Sequence, residues 1–134
     1  MEPTPRWLTS SHLGPTNAVM ATRGRSARAK GNSYELAIKN EHIEMGFGEV
    51  FTSRNESKRM DDKGVDLVGL PYHIQCKAVE KLSPSMHKIL SDMPNDRIRA
   101  VFHKRNRLGS VVCLNKDDWY RILQHLNKTK FFKK

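Results

Sequence analysis

Strict alternation of apolar and polar side chains over residues 72–77 is the feature that most constrains how this chain can fold. The apolar members are Tyr72, Ile74 and Cys76, and the polar members are His73, Gln75 and Lys77. Because successive side chains of a strand point to opposite faces, the segment predicts a strand with one core face and one polar face. Residues 64–69 predict the preceding strand, and Leu70-Pro71 predicts the turn that joins the two into a hairpin.

Asp66 lies between Val65 and Leu67 on the first of these strands. If these two apolar residues contact the core, the alternation directs Asp66 towards the face of Gln75 and Lys77. A carboxylate, an amide and an ammonium group on one sheet face cost more free energy than apolar side chains would. One interpretation is a divalent cation site, because Mg²⁺ binds hard oxygen ligands and keeps several waters. The alternative is an exposed sheet face with an ordinary Asp–Lys pair, which contributes little to stability.

The predicted metal ligands are the carboxylate of Asp66, the side-chain oxygen of Gln75 and the main-chain carbonyl of Cys76. Glu35, on the preceding helix, would add a second carboxylate directly or through water. Lys77 would orient an attacking water or stabilise the charge that develops on a phosphate. The expected cofactor is Mg²⁺, with Mn²⁺ as a substitute.

The remaining segments predict a mixed α/β domain with a small sheet of about five strands flanked by helices. Helices are predicted at residues 34–45, 83–93 and 116–126, and further strands at residues 47–53, 98–103 and 110–114. Residues 54–63 are polar and predict a loop. The predicted organisation is a basic flexible arm (1–30), the α/β domain (31–126) and a basic tail (127–134).

A domain this small has a limited core, which favours a homodimer.

Positive charge is concentrated at the two ends of the chain. The formal net charge is +10, of which residues 1–30 carry +4 and residues 128–134 another +4. Basic ends around a nearly neutral body indicate a polyanion partner, usually nucleic acid. The alternative is a solubilising surface with irregular tails.

Composition excludes several classes of protein. No apolar run approaches the ~20 residues of a membrane-spanning helix. Cys76 and Cys113 are the only cysteines, which excludes a disulfide-built secreted domain and a structural zinc site. Two free, buried thiols predict a reducing intracellular compartment, such as the cytoplasm, rather than secretion.

Residues 64–69 (GVDLVG) and 74–77 (IQCK) resemble the PD-(D/E)xK nuclease signature, with Glu35 in the place of the helix carboxylate of that superfamily. Residues 31–36, followed by Gly46-Phe47 and a strand, resemble the opening of archaeal-type Holliday-junction resolvases. The resemblance covers residues 31–126. It implies a restriction-endonuclease-like core and a dimeric, Mg²⁺-dependent enzyme that cuts four-way DNA junctions for recombination and repair.

By matching position, the resemblance makes Glu35, Asp66 and Gln75 metal-site residues and Lys77 the catalytic lysine. Two positions depart from the motif: its Pro is Val65, and its Glu is Gln75, which removes one anionic ligand. Mrr-type restriction nucleases are similar in this Q-x-K variant. Asp61 or Asp62 would restore a carboxylate if the loop folds inward, and otherwise they are solvated loop charges.

Basic and polar side chains near the site and on the arm are candidates for contacts with DNA phosphates. They are Arg25, Arg28, Lys30, Ser53, Arg54, Lys58, Arg59, Lys104, Arg105 and Arg107. The last three could instead be charges that protect an edge strand. The expected function is a junction-resolving endonuclease. The alternatives are a restriction or repair nuclease of the same fold and a non-catalytic DNA-binding module with a decayed site, which Gln75 would favour.

Overall fold

The computed structural model describes residues 26–132, so residues 1–25, including Arg25, and the last two residues lie outside it. Helices and strands follow one another in a mixed order. They are α1 (Ser26–Glu44), β1 (Phe51–Thr52), α2 (Ser53–Glu56), α3 (Lys58–Asp62), β2 (Leu67–Val68), β3 (His73–Lys77), α4 (Met86–Asp92), β4 (Arg99–Arg105), β5 (Gly109–Leu114) and α5 (Lys116–Lys128). The predicted mixed α/β class is confirmed.

The strands form two small sheets within the described residues instead of the single sheet of about five strands that the sequence predicts. β1 pairs with β2 in antiparallel fashion, and β3, β4 and β5 form the second sheet. β3 and β4 are parallel, with Ile74 opposite Ala100, and α4 lies in the connection that a parallel pair requires. Gly64, at a φ of +81°, interrupts the predicted strand over residues 64–69, and only Leu67 and Val68 remain extended and paired. A hydrogen bond from the Asp66 N–H to the Ile74 carbonyl, at 2.7 Å, still links the two sheets.

Two apolar clusters form the core. The first, on the α1 side, contains Tyr34, Ile38, Val50, Leu67, Leu70, Ile74 and Cys76. The second, on the α4 side, contains Val65, Ile89, Leu90, Met93 and Val101. The prediction that Ile74 and Cys76 share a core face is therefore confirmed.

The prediction that Val65 and Leu67 share a face is wrong, because they belong to different clusters. The alternation rule holds only for strand conformation, and β2 begins at Leu67, after Asp66. Asp66 therefore lies between the two clusters, beside the edge of β3.

Several element limits differ from the prediction. α1 begins at Ser26 rather than at residue 34, because the Ala-, Arg- and Lys-containing turn before Gly31 has good helix propensity. Residues 53–62, predicted as strand end and loop, form two short helices, the second capped by the Ser57 hydroxyl, which accepts from the Met60 N–H at 3.3 Å. α4 begins after a Ser85 cap rather than at residue 83, and α5 extends to Lys128. The division into arm, domain and tail stays a prediction.

Both cysteines are free thiols. Cys76 is buried, whereas Cys113 is half-buried, so full burial is confirmed for one of the two. Burial raises the pKa of the Cys76 thiol. Over residues 26–132, no helix combines the length and the apolar character needed to cross a bilayer.

The turn before β3 gives a prediction for stability. Gly69 has a φ of +95°, and a Cβ there would overlap the main-chain carbonyl oxygen of Glu49. We expect Gly69→Ala to lower the free energy of unfolding by at least about 2 kcal/mol, since backbone strain and overlap add. Gly48→Ala is the matched control, because Gly48 has a φ of +80° but open space around it. Urea unfolding curves check the difference, and an equal loss in both variants would contradict it.

Candidate active site

The carboxylate of Asp66 is fixed against the edge of β3. Asp66 is only 8% exposed, and its Oδ2 accepts a hydrogen bond from the Cys76 main-chain N–H at 2.7 Å. Together with the bond from the Asp66 N–H to the Ile74 carbonyl, this contact holds both backbone and side chain in register with β3. Oδ1 makes no hydrogen bond among the described residues and is the oxygen left for another partner.

The surroundings of Asp66 disfavour its negative charge. Burial is the main cause that raises its pKa to about 7, and the negative charges of Glu35 and Asp61 raise it further. The Cys76 N–H and the Lys77 ammonium act in the opposite direction. Electrostatic coupling of this kind requires that Glu35, Asp61 and Lys77 lie near Asp66. Among the predicted catalytic residues, Glu35 and Lys77 therefore lie within electrostatic range of Asp66, as Asp61 does.

Glu35 is held towards the site by an arginine that the sequence analysis assigned to DNA. Oε1 of Glu35 accepts a hydrogen bond from Nε of Arg54 at 3.2 Å, and the Glu35 side chain is 15% exposed. The Arg54 side chain remains 34% exposed, so it faces both the carboxylate and solvent. Arg54 thus reduces the repulsion between Glu35 and Asp66, which a bound cation would also do.

Gln75 takes its position on the α4 side of β3. Its Oε1 lies 3.3 Å from the place that a Cβ would occupy at Gly64, so the absence of a side chain there gives the amide its room. The neighbouring position on β4 is the fully buried Val101. The amide oxygen therefore packs against the chain two residues before Asp66.

Cys76 can offer its main chain but not its thiol. The thiol packs in the first apolar cluster. The N–H and C=O of one strand residue point to the same edge, so the Cys76 carbonyl faces the Asp66 side, as its N–H does. This direction agrees with the predicted main-chain ligand. Lys77 follows directly and is half-buried at the end of β3.

Ser53 is not a surface contact for DNA, and its assignment to phosphate binding is corrected. It is 0% exposed; its N–H donates to the Asp66 carbonyl at 2.8 Å, and its hydroxyl donates to Oδ1 of Asp61 at 3.3 Å. Ser53 thereby links α3 to the Asp66 backbone, although Asp61 itself stays exposed. The sequence carried no signal for this role beyond a small hydroxyl residue after an extended segment. Asp62 instead pairs with Lys58 at 3.3 Å on the surface.

The other predicted DNA contacts are dispersed. Arg28 is exposed and Lys30 half-buried on the first turns of α1. Lys104, Arg105 and Arg107 lie at or near the β4–β5 turn, where Arg105 Nε is 3.9 Å from Oε1 of Glu80. These residues form no single cluster with Asp66.

The predicted donor set has the chemistry that a cation keeping most of its waters requires. Over the described part of the chain, no three His, Cys, Asp or Glu side chains converge as a metal-binding group. The predicted ligand set contains only two acidic side chains, Glu35 and Asp66. Its other two ligands are the Gln75 amide oxygen and the Cys76 main-chain carbonyl. Mg²⁺ is the divalent ion that proteins hold with one or two carboxylates and several waters.

Gln75→Glu tests this donor set by changing its charge. We expect Mg²⁺ affinity to increase about tenfold, or about 1.4 kcal/mol, because a second β3-side anion is added beside Asp66. Titration calorimetry measures the change, with Gln124→Glu on the exposed face of α5 as the control for net charge. If Gln75→Glu binds Mg²⁺ no more tightly than the unaltered protein, Gln75 is not a ligand of the site.

Comparison with known proteins does not assign a function to this chain. No protein-family model, curated protein or solved structure matches the chain. What can be assigned rests on the buried carboxylate of Asp66, the second carboxylate of Glu35 and the ammonium of Lys77 at one edge of β3.

Proposed function

We propose that this protein is a Mg²⁺-dependent endodeoxyribonuclease that resolves four-way DNA junctions by paired phosphodiester cuts. The observation that carries the proposal is the buried carboxylate of Asp66, fixed against the edge of β3 by the Cys76 N–H, with Glu35 and Lys77 within electrostatic range. Two carboxylates beside a lysine, with an amide on the same strand, provide oxygen ligands for a cation and a positive group for the reacting phosphate.

When bound, Mg²⁺ would supply a more acidic water and neutralise charge on the phosphate. The chain's own residues have separate roles. Asp66 offers Oδ1, since Oδ2 is held by the Cys76 N–H, and Glu35 offers Oε2, since Oε1 is held by Arg54. Lys77 stabilises the additional negative charge of the pentacovalent transition state.

Two observations support a dimer acting on DNA. The net charge of +10 favours a polyanionic substrate. β5 is an outer strand of its sheet in the described structure, and its Val111 and Val112 are exposed together with Trp119 and Tyr120 of α5. An outer strand with exposed apolar residues can pair with another chain, and a dimer would carry two sites for the two cuts in a junction.

The testing experiment compares a labelled four-way junction, a flap and a linear duplex of the same sequence, each with Mg²⁺. Paired symmetric nicks in the junction alone support resolution. Preferred cutting of flap or duplex would move the function to the restriction or repair nucleases. If no substrate is cut with either Mg²⁺ or Mn²⁺, the proposal that the protein is a nuclease is refuted.

A non-catalytic DNA-binding module is the second candidate, and two observations favour it. Gln75 replaces an anionic ligand, and Arg54 already compensates Glu35 without a metal. Such a module would bind DNA with a steep salt dependence but release no heat with Mg²⁺ in calorimetry. The nuclease predicts both DNA binding and a metal-dependent heat.

A further inference from the structure

A basic region of the surface lies apart from the Asp66 site. It is a cleft of about 500 Å³ between α3, the β2–β3 connection and the loop before β4. Arg59, Lys63 and Arg97 contribute cationic side chains to its wall. None of Glu35, Asp66, Gln75 or Lys77 lines it, so it is a different site from the candidate active site.

The cleft has an excess of positive charge. Arg59 and Lys63 make no ion pair or hydrogen bond within residues 26–132, so both cations are available to a ligand. Arg97 is fixed by donating to the Leu70 carbonyl at 2.7 Å, and its Nε lies 4.0 Å from Oδ2 of Asp96. The single acid of the cleft is thus already next to a cation.

The wall opposite α3 is fixed by a buried histidine. Nε2 of His73, at the start of β3, is hydrogen-bonded to Oδ1 of Asp96 at 2.8 Å, and His73 is almost fully buried. The His73 N–H also donates to the Ile98 carbonyl at 2.8 Å. Both bonds hold the 94–97 loop against β3, so the cleft has a preformed shape. A preformed concave surface with unpaired cations is suited to a phosphate group.

The distance between the cleft and the active site can be spanned by a few nucleotides of one DNA strand. His73 in the cleft and Lys77 at the site are four residues apart on β3, which corresponds to about 13 Å. One strand of B-DNA carries a phosphate about every 3.4 Å along the axis. A single strand can therefore occupy the site and the cleft within a few nucleotides.

We propose that this cleft binds a backbone phosphate of the DNA that is held at the Asp66 site, through Arg59 and Lys63. This proposal adds a contact with the DNA substrate. It rests on the proposed nuclease function only for the position at which the strand is cut. A free phosphate has the same chemistry as the backbone group, so the test includes it as a separate arm.

The test measures DNA binding without divalent ions, so that no cutting can occur. The variant Arg59→Gln/Lys63→Gln is compared with Lys88→Gln/Lys116→Gln, which removes the same charge from two exposed lysines outside the cleft. Lys88 is paired with Asp92, and Lys116 lies over the Tyr120 ring. Affinity for a labelled junction is measured over a range of KCl concentrations. Thermal unfolding shows that the variants keep their fold.

The cleft variant should raise Kd about tenfold or more near 0.1 M salt and lower the slope of log K against log salt by about two, with the control unchanged. An equal slope in both double variants would overturn the proposal. So would saturable binding of inorganic phosphate at Arg59 and Lys63 with no change in the DNA slope, which would assign the cleft to a free phosphate. If no DNA is ever cut but the slopes differ as expected, the cleft stands while the nuclease function falls.

Discussion

Asp66→Asn and Lys77→Ala are each expected to reduce Mg²⁺-dependent cutting of a four-way junction by at least about 100-fold, a loss typical of removing one transition-state contact. Asn keeps an oxygen that can accept from the Cys76 N–H, so the fold at this edge is retained while the charge is lost. Ala at position 77 removes the ammonium group that lowers the pKa of Asp66. Cleavage rates under single-turnover conditions measure the chemical step directly.

DNA affinity should separate the two variants. Asp66→Asn removes a negative charge beside the phosphate and is expected to bind DNA at least as tightly as the unaltered protein, whereas Lys77→Ala is expected to bind more weakly. Asp62→Asn and Lys81→Ala are the controls, because both residues are exposed and neither contributes to the pKa of Asp66. Cutting at an unaltered rate in Asp66→Asn or Lys77→Ala would refute the proposed roles, as would an equal loss in the controls.

The second large effect concerns stability, and its sign follows from the raised pKa of Asp66. The carboxyl has an ordinary value of 3.8 and a folded value of about 7, chiefly because of burial. Between these pH values the folded state binds more protons than the unfolded state, so the free energy of unfolding falls as pH rises. The loss is complete above about pH 8. One pKa unit corresponds to about 1.4 kcal/mol, which sets an upper limit of about 4 kcal/mol.

Asp66→Asn removes this penalty, because an amide does not ionise. In EDTA, the variant should gain little over the unaltered protein at pH 4 and on the order of 4 kcal/mol at pH 8. Added Mg²⁺ should then stabilise the unaltered protein and leave Asp66→Asn unchanged, since only a ligand that binds the folded state raises stability. Urea unfolding at the two pH values checks the difference. A gain independent of pH would show that the burial of Asp66 carries no charge penalty.

The sequence predicted β3 better than it predicted the sheet as a whole. The period-two pattern of residues 72–77 placed β3 and its core face correctly, because the strand stays extended and pairs with β4 in a regular parallel register. The same rule failed at Val65 and Leu67, since Gly64 and the bond from Asp66 to Ile74 replace a continuous strand there. Alternation is only informative where the backbone stays extended.

Tertiary contacts account for what the sequence could not supply. The nearness of Glu35 to Asp66 was expected from order along the chain alone, and the structure supports it through their charge coupling. The Arg54–Glu35 pair joins residues 19 positions apart, and the buried Ser53 joins Asp61 and Asp66. No local pattern distinguishes such an arginine or serine from one on a DNA-binding surface. The cleft beside His73 likewise depends on three separate segments meeting in space.

Paramagnetic broadening by Mn²⁺ tests most directly whether one cation is held by Glu35, Asp66, Gln75 and the Cys76 carbonyl. With substoichiometric Mn²⁺ added to ¹⁵N-labelled protein, the main-chain signals of Asp66 and Cys76 and the side-chain amide of Gln75 should disappear first. Excess Mg²⁺ should restore them, and Asp66→Asn should abolish the effect. Broadening that instead follows exposed acids such as Asp62 and Asp92, with the β3 edge unaffected, would contradict the account.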